Sequence, residues 1–396
     1  MPSFRLIFIL IIPLLCVTFA VAMAGWRVPA PAAPEPAPTL NLVCPVAPVD
    51  NRLPVSATDP RPAFDVRKCP DLSRIYDLYP AKDAIPALQA ATFTPAADAL
   101  WLDDRAPVLG LKLGAEAHCY PLAILNWHSL VHDTIGGQGL YVFFDPPSGL
   151  AIARRMQSKS RPMALSGYGY DGVGLTYERS KGRLYDMLGG KWLNITPTLS
   201  KGFGSGDFDW LPLERMTWKQ WRTLHGNTLV LSRDTGYAFD YSFDPYSAAA
   251  LGPGGAVEDY WSSNTLLAPE NLRDQQQTLP DKSTVLAFLV KMPATKPRPA
   301  PAPSAAAASG TPDTPAGQTQ PGAVPLDALA GAARKVTIPT TAGKVTIYAD
   351  PANDRYYVQD AQGHWLPQVR LFWYAWKTRF PNTKLYQTQQ PIATSE

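Results

Sequence analysis

The sequence is poor in charge. Only 17% of its 396 residues are Asp, Glu, Lys or Arg, against about 25% in ordinary soluble domains. Lys and Arg number 36 and Asp and Glu 33, a net charge of +3, too small to make a nucleic-acid binder by electrostatics alone. Histidines number five and cysteines four. No Ser-x-x-Lys pattern, nucleophile elbow or phosphate loop occurs, so the common signatures of nucleophilic hydrolases and nucleotide-dependent enzymes are missing. What is present is apolar: 46% hydrophobic residues, enough for a real core and too many for wholesale disorder.

Proline is plentiful but unevenly spread. Of 41 prolines, 19 lie in residues 28–62 and 293–325, which marks those stretches as extended linkers. The first 26 residues direct export. Arg5 precedes an uncharged run from Leu6 to Ala24, and Ala22-Met23-Ala24 before Gly25 has the form of a signal-peptidase site. The run also approaches membrane-spanning length, so a cleaved signal and an uncleaved inner-membrane anchor both fit. Either way the rest of the chain is expected in the periplasm or at the cell surface. There cysteines tend to pair, and Cys44 and Cys69, flanking a Pro-rich segment with little else to hold it, are expected to be bridged. Cys119, in the alternating Ala117-His118-Cys119-Tyr120, reads as a small buried thiol, a ligand or redox role being the alternative.

The expected order is a signal peptide or anchor (1–26), a Pro/Ala stalk (27–40), a Pro-rich collar (41–83), the main domain (84–291), a low-complexity insertion (292–330), the domain's C-terminal part (331–388) and a tail (389–396). The fold class is α+β, predominantly β. Val108–Leu113, Leu140–Phe144, Thr228–Ser232, Lys335–Ile338 and Lys344–Tyr348 have strand patterns. Pro121 opens a helix running to about His132. Thr217-Trp218-Lys219-Gln220 is a capping box, with Trp218 and Trp221 on one helix face. Val369–Phe380 spaces Trp373, Trp376, Lys377 and Phe380 as a core-facing helix. Arg154-Arg155 with Lys159–Arg161 is a small basic patch of the kind found on solvated turns.

Two patterns bear on chemistry. Gly167-Tyr168-Gly169-Tyr170-Asp171-Gly172 matches G-x-G-x-x-G literally, but Val173-Gly174-Leu175-Thr176-Tyr177 follows it as a strand and not a helix. Asp171-Gly172 therefore reads as a hairpin turn, and nucleotide binding is not expected. His128 and His132, four apart on the expected helix, have the spacing of two ligands to one metal, zinc or copper. Asp133 and Asp145 are candidate carboxylate ligands. Ser129 stands where a zinc protease would carry its glutamate base. The competing reading makes the histidines hydrogen-bonded polar caps.

Ile85-Pro86-Ala87-Leu88, Tyr120-Pro121-Leu122, Leu125-Asn126-Trp127-His128 and Asp133-Thr134-Ile135-Gly136-Gly137 form a set with Ser166-Gly167, Thr217-Trp218 and Thr235-Gly236-Tyr237. Pro280-Asp281-Lys282, Phe372-Trp373-Tyr374-Ala375-Trp376 and Phe380-Pro381-Asn382-Thr383 complete it. Together they resemble the bacterial and archaeal family catalogued as domain of unknown function 3179, over roughly residues 84–387. The resemblance implies a Cys-x-x-Cys pair as the best candidate for redox or metal chemistry. Here the family's Tyr-Cys-Pro-Leu-Cys-Gly is replaced by Phe144-Asp145-Pro146-Pro147-Ser148-Gly149. The family's His-Glu becomes His128-Ser129, and its Asn becomes His132. With both cysteines gone, the leading expectation is a binding or structural module without turnover. The alternative is a metal-binding protein or metal-dependent hydrolase centred on His128 and His132.

Overall fold

Side chains on a strand alternate between its two faces, and that period governs most elements of the fold. The computed structural model describes residues 74–79, 81–156, 162–180, 183–193, 210–211, 213–247, 259–291, 319–330 and 335–386. The leader, the stalk, Cys44 and Cys69, Lys159–Arg161, most of the insertion and the tail lie outside the described residues. Among the described residues no helix is long and apolar enough to cross a membrane.

Strand β1 (Ile75–Asp77) comes from the stretch expected to be a collar, and it is followed by β2 (Phe93–Pro95), β3 (Pro107–Leu113) and β4 (Glu116–Pro121). Helix α1 (Leu122–His128) starts directly after Pro121. It ends four residues earlier than the sequence pattern suggests, because Ser129 turns out of helical geometry at φ 55°. The chain continues at once as β5 (Leu130–Ile135), then β6 (Gln138–Asp145) and β7 (Leu150–Arg155). The literal glycine motif spans β8 (Met163–Tyr170) and the start of β9 (Val173–Glu178). Asp171 and Gly172 turn the chain between them, both with positive φ, as a two-residue hairpin of this hand requires. After β10 (Leu184–Asp186) and β11 (Lys191–Trp192) comes β12 (Glu214–Thr217), which leads into α2 (Trp218–Leu224). The capping box forms as expected, with Thr217 Oγ1 accepting from the Gln220 amide and Gln220 Oε1 accepting from the Thr217 amide.

Next are β13 (Leu229–Leu231), β14 (Thr284–Lys291) and β15 (Thr319–Pro325), the last being a strand inside the stretch expected to be an insertion. A short α3 (Asp327–Ala330) precedes the meander β16 (Lys335–Thr340), β17 (Gly343–Asp350) and β18 (Arg355–Gln359). The terminal aromatic segment is not one helix. It is β19 (Gln368–Phe372) followed by α4 (Trp373–Arg379), with β20 (Lys384–Leu385) behind it. Val369 and Leu371 face the core while Arg370 lies between them partly buried, a period of two that β14 completes by pairing along β19.

Four sheets result: β1-β8-β9-β10-β11, β12-β3-β4-β13-β2, β20-β15-β14-β19-β7-β6-β5, and β16-β17-β18. The seven-stranded sheet is central. Tyr141 and Phe143 of β6 enter a core shared with β8, β9 and α4. Leu140, Val142 and Phe144 enter the opposite core with Leu109, Leu111, Tyr120 and α1. Beyond the second sheet, Val108, Cys119 and Met216 pack on Trp218 and Trp221 of α2. The β16-β17-β18 sheet covers Leu286, Phe288 and Val324. Cys119 is a buried free thiol, its pKa pushed up by burial. Arg154, expected on a solvated turn, is instead buried, its guanidinium donating to the Met187 and Leu188 carbonyls.

Helix α2 is too short to hold itself, so its place depends on the Trp221 ring lying flat on Gly110. A Cβ there would meet three ring atoms at 2.2–2.5 Å. Gly110→Ala is therefore expected to lower unfolding free energy by about 1–3 kcal/mol, read as a lower midpoint in urea with unchanged slope.

Candidate functional site

The site begins with the turn joining β6 to β7. Asp145, Pro146, Pro147 and Ser148 stand where the resemblance implies a Cys-x-x-Cys pair, and Gly149 follows them. The turn lies in the interior: Asp145 is 1% exposed and Ser148 fully buried. Asp145 Oδ2 accepts from Ser148 Oγ and from the Gly174 amide at 3.1 Å. The Ser148 carbonyl accepts the Phe372 amide at 2.7 Å. The Pro147 carbonyl accepts hydroxyls from Tyr260 and, at 3.0 Å, from Tyr374. Asp145 and Ser148 thus bond to each other, and α4 seals the turn.

Five tyrosines, Tyr76, Tyr79, Tyr246, Tyr260 and Tyr374, lie close enough to feel the Asp145 charge. Burial first, with that charge adding, pushes each phenol upward, so all five are neutral hydroxyls. The glycine motif builds this cage. The Gly167 carbonyl accepts the amides of Leu78 and Tyr79 at 3.0 and 2.9 Å, holding the Tyr76–Tyr79 segment in place. A Cβ on Gly169 would lie 2.3 Å from the Tyr76 ring, and one on Gly174 would lie 2.8 Å from Asp145 Oδ1. The glycines make room for a phenol and a carboxyl, where the motif's usual reading would have them cradle a phosphate.

The other candidate ligands go elsewhere. His128, fully buried, places Nδ1 2.7 Å from the Pro86 carbonyl and Nε2 2.6 Å from Tyr241 Oη. A carbonyl only accepts, so Nδ1 carries the proton and Nε2 accepts from Tyr241. Tyr241 Oη in turn meets Thr235 Oγ1 at 2.5 Å. Burial lowers the His128 pKa, in keeping with the neutral ring. His132 lies on β5 rather than on a helix, its Nε2 2.9 Å from the Met163 carbonyl, and burial brings its pKa down to about 4. Asp133, next on the strand, faces the other way and accepts from His118 Nδ1 at 2.7 Å and from the Tyr120 hydroxyl. His118 Nε2 meets Glu116 at 2.9 Å. Burial opposes charge on His118, but its bonds to Asp133 and Glu116 prevail and raise its pKa.

The stacked pair on one helix face does not exist, because α1 stops at His128, and Asp145 keeps to its own turn. Among the described residues no three His, Cys, Asp or Glu side chains converge as a metal centre. The histidines are hydrogen-bonded fixtures. The sequence reading missed the tyrosine cage, whose members span about 300 positions and leave no local pattern. Lys282 gives no signal in the sequence beyond its place in Pro280-Asp281-Lys282. Lys282 Nζ donates to the Tyr260 and Ser263 carbonyls and sits 3.6 Å over the Tyr260 ring, with burial lowering its pKa to about 8.

Chemically the turn offers a buried carboxyl whose pKa burial raises to about 6, with the Ser148 and Gly174 hydrogen bonds opposing. An unfolded aspartate titrates near 3.9. The full stability therefore exists below about pH 4 and is lost as pH rises through about 6, by roughly 3 kcal/mol in all. Asp145→Asn is expected to flatten this part of the stability–pH curve and to be the more stable protein at pH 8. Denaturant titrations from pH 4 to 8 check it, and an unchanged slope would refute the assignment.

Comparison with known proteins adds one match. The family model described as "Protein of unknown function (DUF3179)" matches residues 82–383. No curated protein and no solved structure matches the chain. With some three-quarters of the sequence matched, from the loop before β2 to the residues after α4, the chain belongs to the DUF3179 family.

Proposed function

We propose that the chain is an exported binding or structural module, working in the periplasm or at the cell surface without turnover. The observation that carries this reading is the closed turn at Asp145 and Ser148. At the positions of the family's paired cysteines there is a carboxyl and a hydroxyl bonded to one another. Both are shut off from solvent, and two tyrosines hold the same turn by the Pro147 carbonyl. A hydroxyl acts as a nucleophile when a base takes its proton and a substrate reaches it. Ser148 has a carboxyl partner but no approach. The arrangement suits a clasp that keeps β6, β9 and α4 in register. Export is supported by Arg5, the apolar run from Leu6 to Ala24 and the small residues Ala22 and Ala24.

Purified protein is expected to release no product from chromogenic esters, phosphomonoesters or glycosides beyond the rate of Asp145→Asn. It is also expected to carry no stoichiometric zinc or copper by mass spectrometry. His128→Ala should lower the melting temperature through loss of the Pro86–His128–Tyr241 bonds, without changing metal content. A hydrolytic rate abolished in Asp145→Asn, or one metal per chain lost in His128→Ala, would overturn the reading.

A further inference from the structure

A buried acceptor without a donor costs free energy, so folded chains rarely leave one beside open space. Asn126 is such a case. It lies on α1, 6% exposed, and its Oδ1 has no hydrogen-bond partner among the described residues. It lines a cavity of about 330 Å³, together with Leu122 and Ala123 of the same helix. Tyr241, Phe243 and Trp261 add aromatic rings to the wall.

The rings are fixed in advance, which lowers the cost of binding. Tyr241 Oη donates to His128 Nε2 at 2.6 Å and accepts from Thr235 Oγ1 at 2.5 Å. Trp127 Nε1 donates to the Phe243 carbonyl at 3.0 Å, and Trp261 Nε1 to Asp244 Oδ2 at 2.7 Å. Phe243 is nevertheless 38% exposed, as is Tyr237 at 44%, whose ring stacks on Phe239. Charge on the wall balances, with one Arg, Arg215, and one Asp, Asp244, so a neutral ligand fits. That ligand must bring a donor for Asn126 and an apolar face for the rings. Water supplies the first and not the second. A proline-rich peptide supplies the second, but its carbonyls need donors, and both indole N–H groups here are already committed. A pyranose supplies both, because its hydroxyls ring its edge and its C–H groups lie on its faces. The volume is within the range of small-molecule sites.

We infer that this cavity holds a sugar ring of a neutral saccharide, packed on Phe243 and Trp261, with Asn126 accepting from one of its hydroxyls. The inference rests on reading the chain as a binding module and supplies that module's ligand class.

The test uses the full chain with maltotriose, cellotriose, the N-acetylglucosamine trimer, trigalacturonate and decaproline, read by calorimetry and tryptophan fluorescence. Saturable binding of at least one neutral trisaccharide is expected, tighter than that of trigalacturonate or decaproline. Kd should weaken about fivefold in Asn126→Leu, which loses the acceptor, and at least about tenfold in Phe243→Ala, which loses a ring. Phe243 is partly exposed, so its variant keeps the fold. Without saccharide Asn126→Leu should melt at or above the parent temperature, since it removes an unpartnered buried acceptor. No saturable response to the neutral saccharides, binding of trigalacturonate or decaproline as tight as theirs, or unchanged affinity in either variant would overturn the inference. So would a lower melting temperature in Asn126→Leu. Hydrolysis of the bound saccharide would overturn the module reading while leaving these binding results intact, so the two fail separately.

Discussion

Everything in this molecule is arranged around a strand with no exposed face. From Gly139 to Asp145 every residue of β6 is buried. One side supplies Tyr141 and Phe143 to the core under β8, β9 and α4, and the other supplies Leu140, Val142 and Phe144 to the core over α1. A strand dry on both sides needs a layer on each, which is why sheets pack on either side of the seven-stranded one. It also means that the turn at the end of β6 comes out in the interior instead of at the surface where hairpin tips usually lie. Every polar group on that turn must find its partner inside the protein.

That constraint explains what a polar pair on this turn entails. Thiols are tolerated in an apolar interior with no hydrogen bonds to speak of. A carboxyl and a hydroxyl are not. In this chain Asp145 and Ser148 satisfy each other first, and the Gly174 amide takes part of what remains. Gly174 approaches because it lacks a side chain, and the tyrosines approach because Gly169 lacks one. Even so the Tyr76 hydroxyl is left buried without a partner among the described residues, and the carboxyl retains a raised pKa. The turn is thus only partly compensated, as expected of polar groups enclosed in an apolar interior.

Local signals in the sequence were reliable where the physics is local. The Thr217–Gln220 cap, the Asp171-Gly172 turn and the apolar run of β6 depend on neighbours within a few residues, and all three could be read directly. The His128–His132 spacing misled because a helix period was extended past Ser129, where a single positive φ converts helix to strand. Val369–Phe380 misled in the opposite direction, as bulky aromatics in α4 masked the two-residue alternation of Val369, Arg370 and Leu371. The tyrosine cage and the matching of Arg355 with Glu214 and Arg370 with Asp354 join residues 16 to about 300 positions apart. Only topology brings such residues together, and no window along the chain contains it.

Asp145 shows how this fold treats a desolvated charge. The carboxyl is given a hydroxyl, an amide and a wall of phenols. Packing tends to remove uncompensated charges, because each one detracts from a small net stability. Here the compensation is partial: hydrogen bonds from Ser148 and Gly174 oppose the burial, yet burial prevails and the pKa stays raised to about 6. Above that pH the turn therefore holds a charge that the rest of the core must outweigh, and the apolar strands packed on both faces of β6 are what outweigh it.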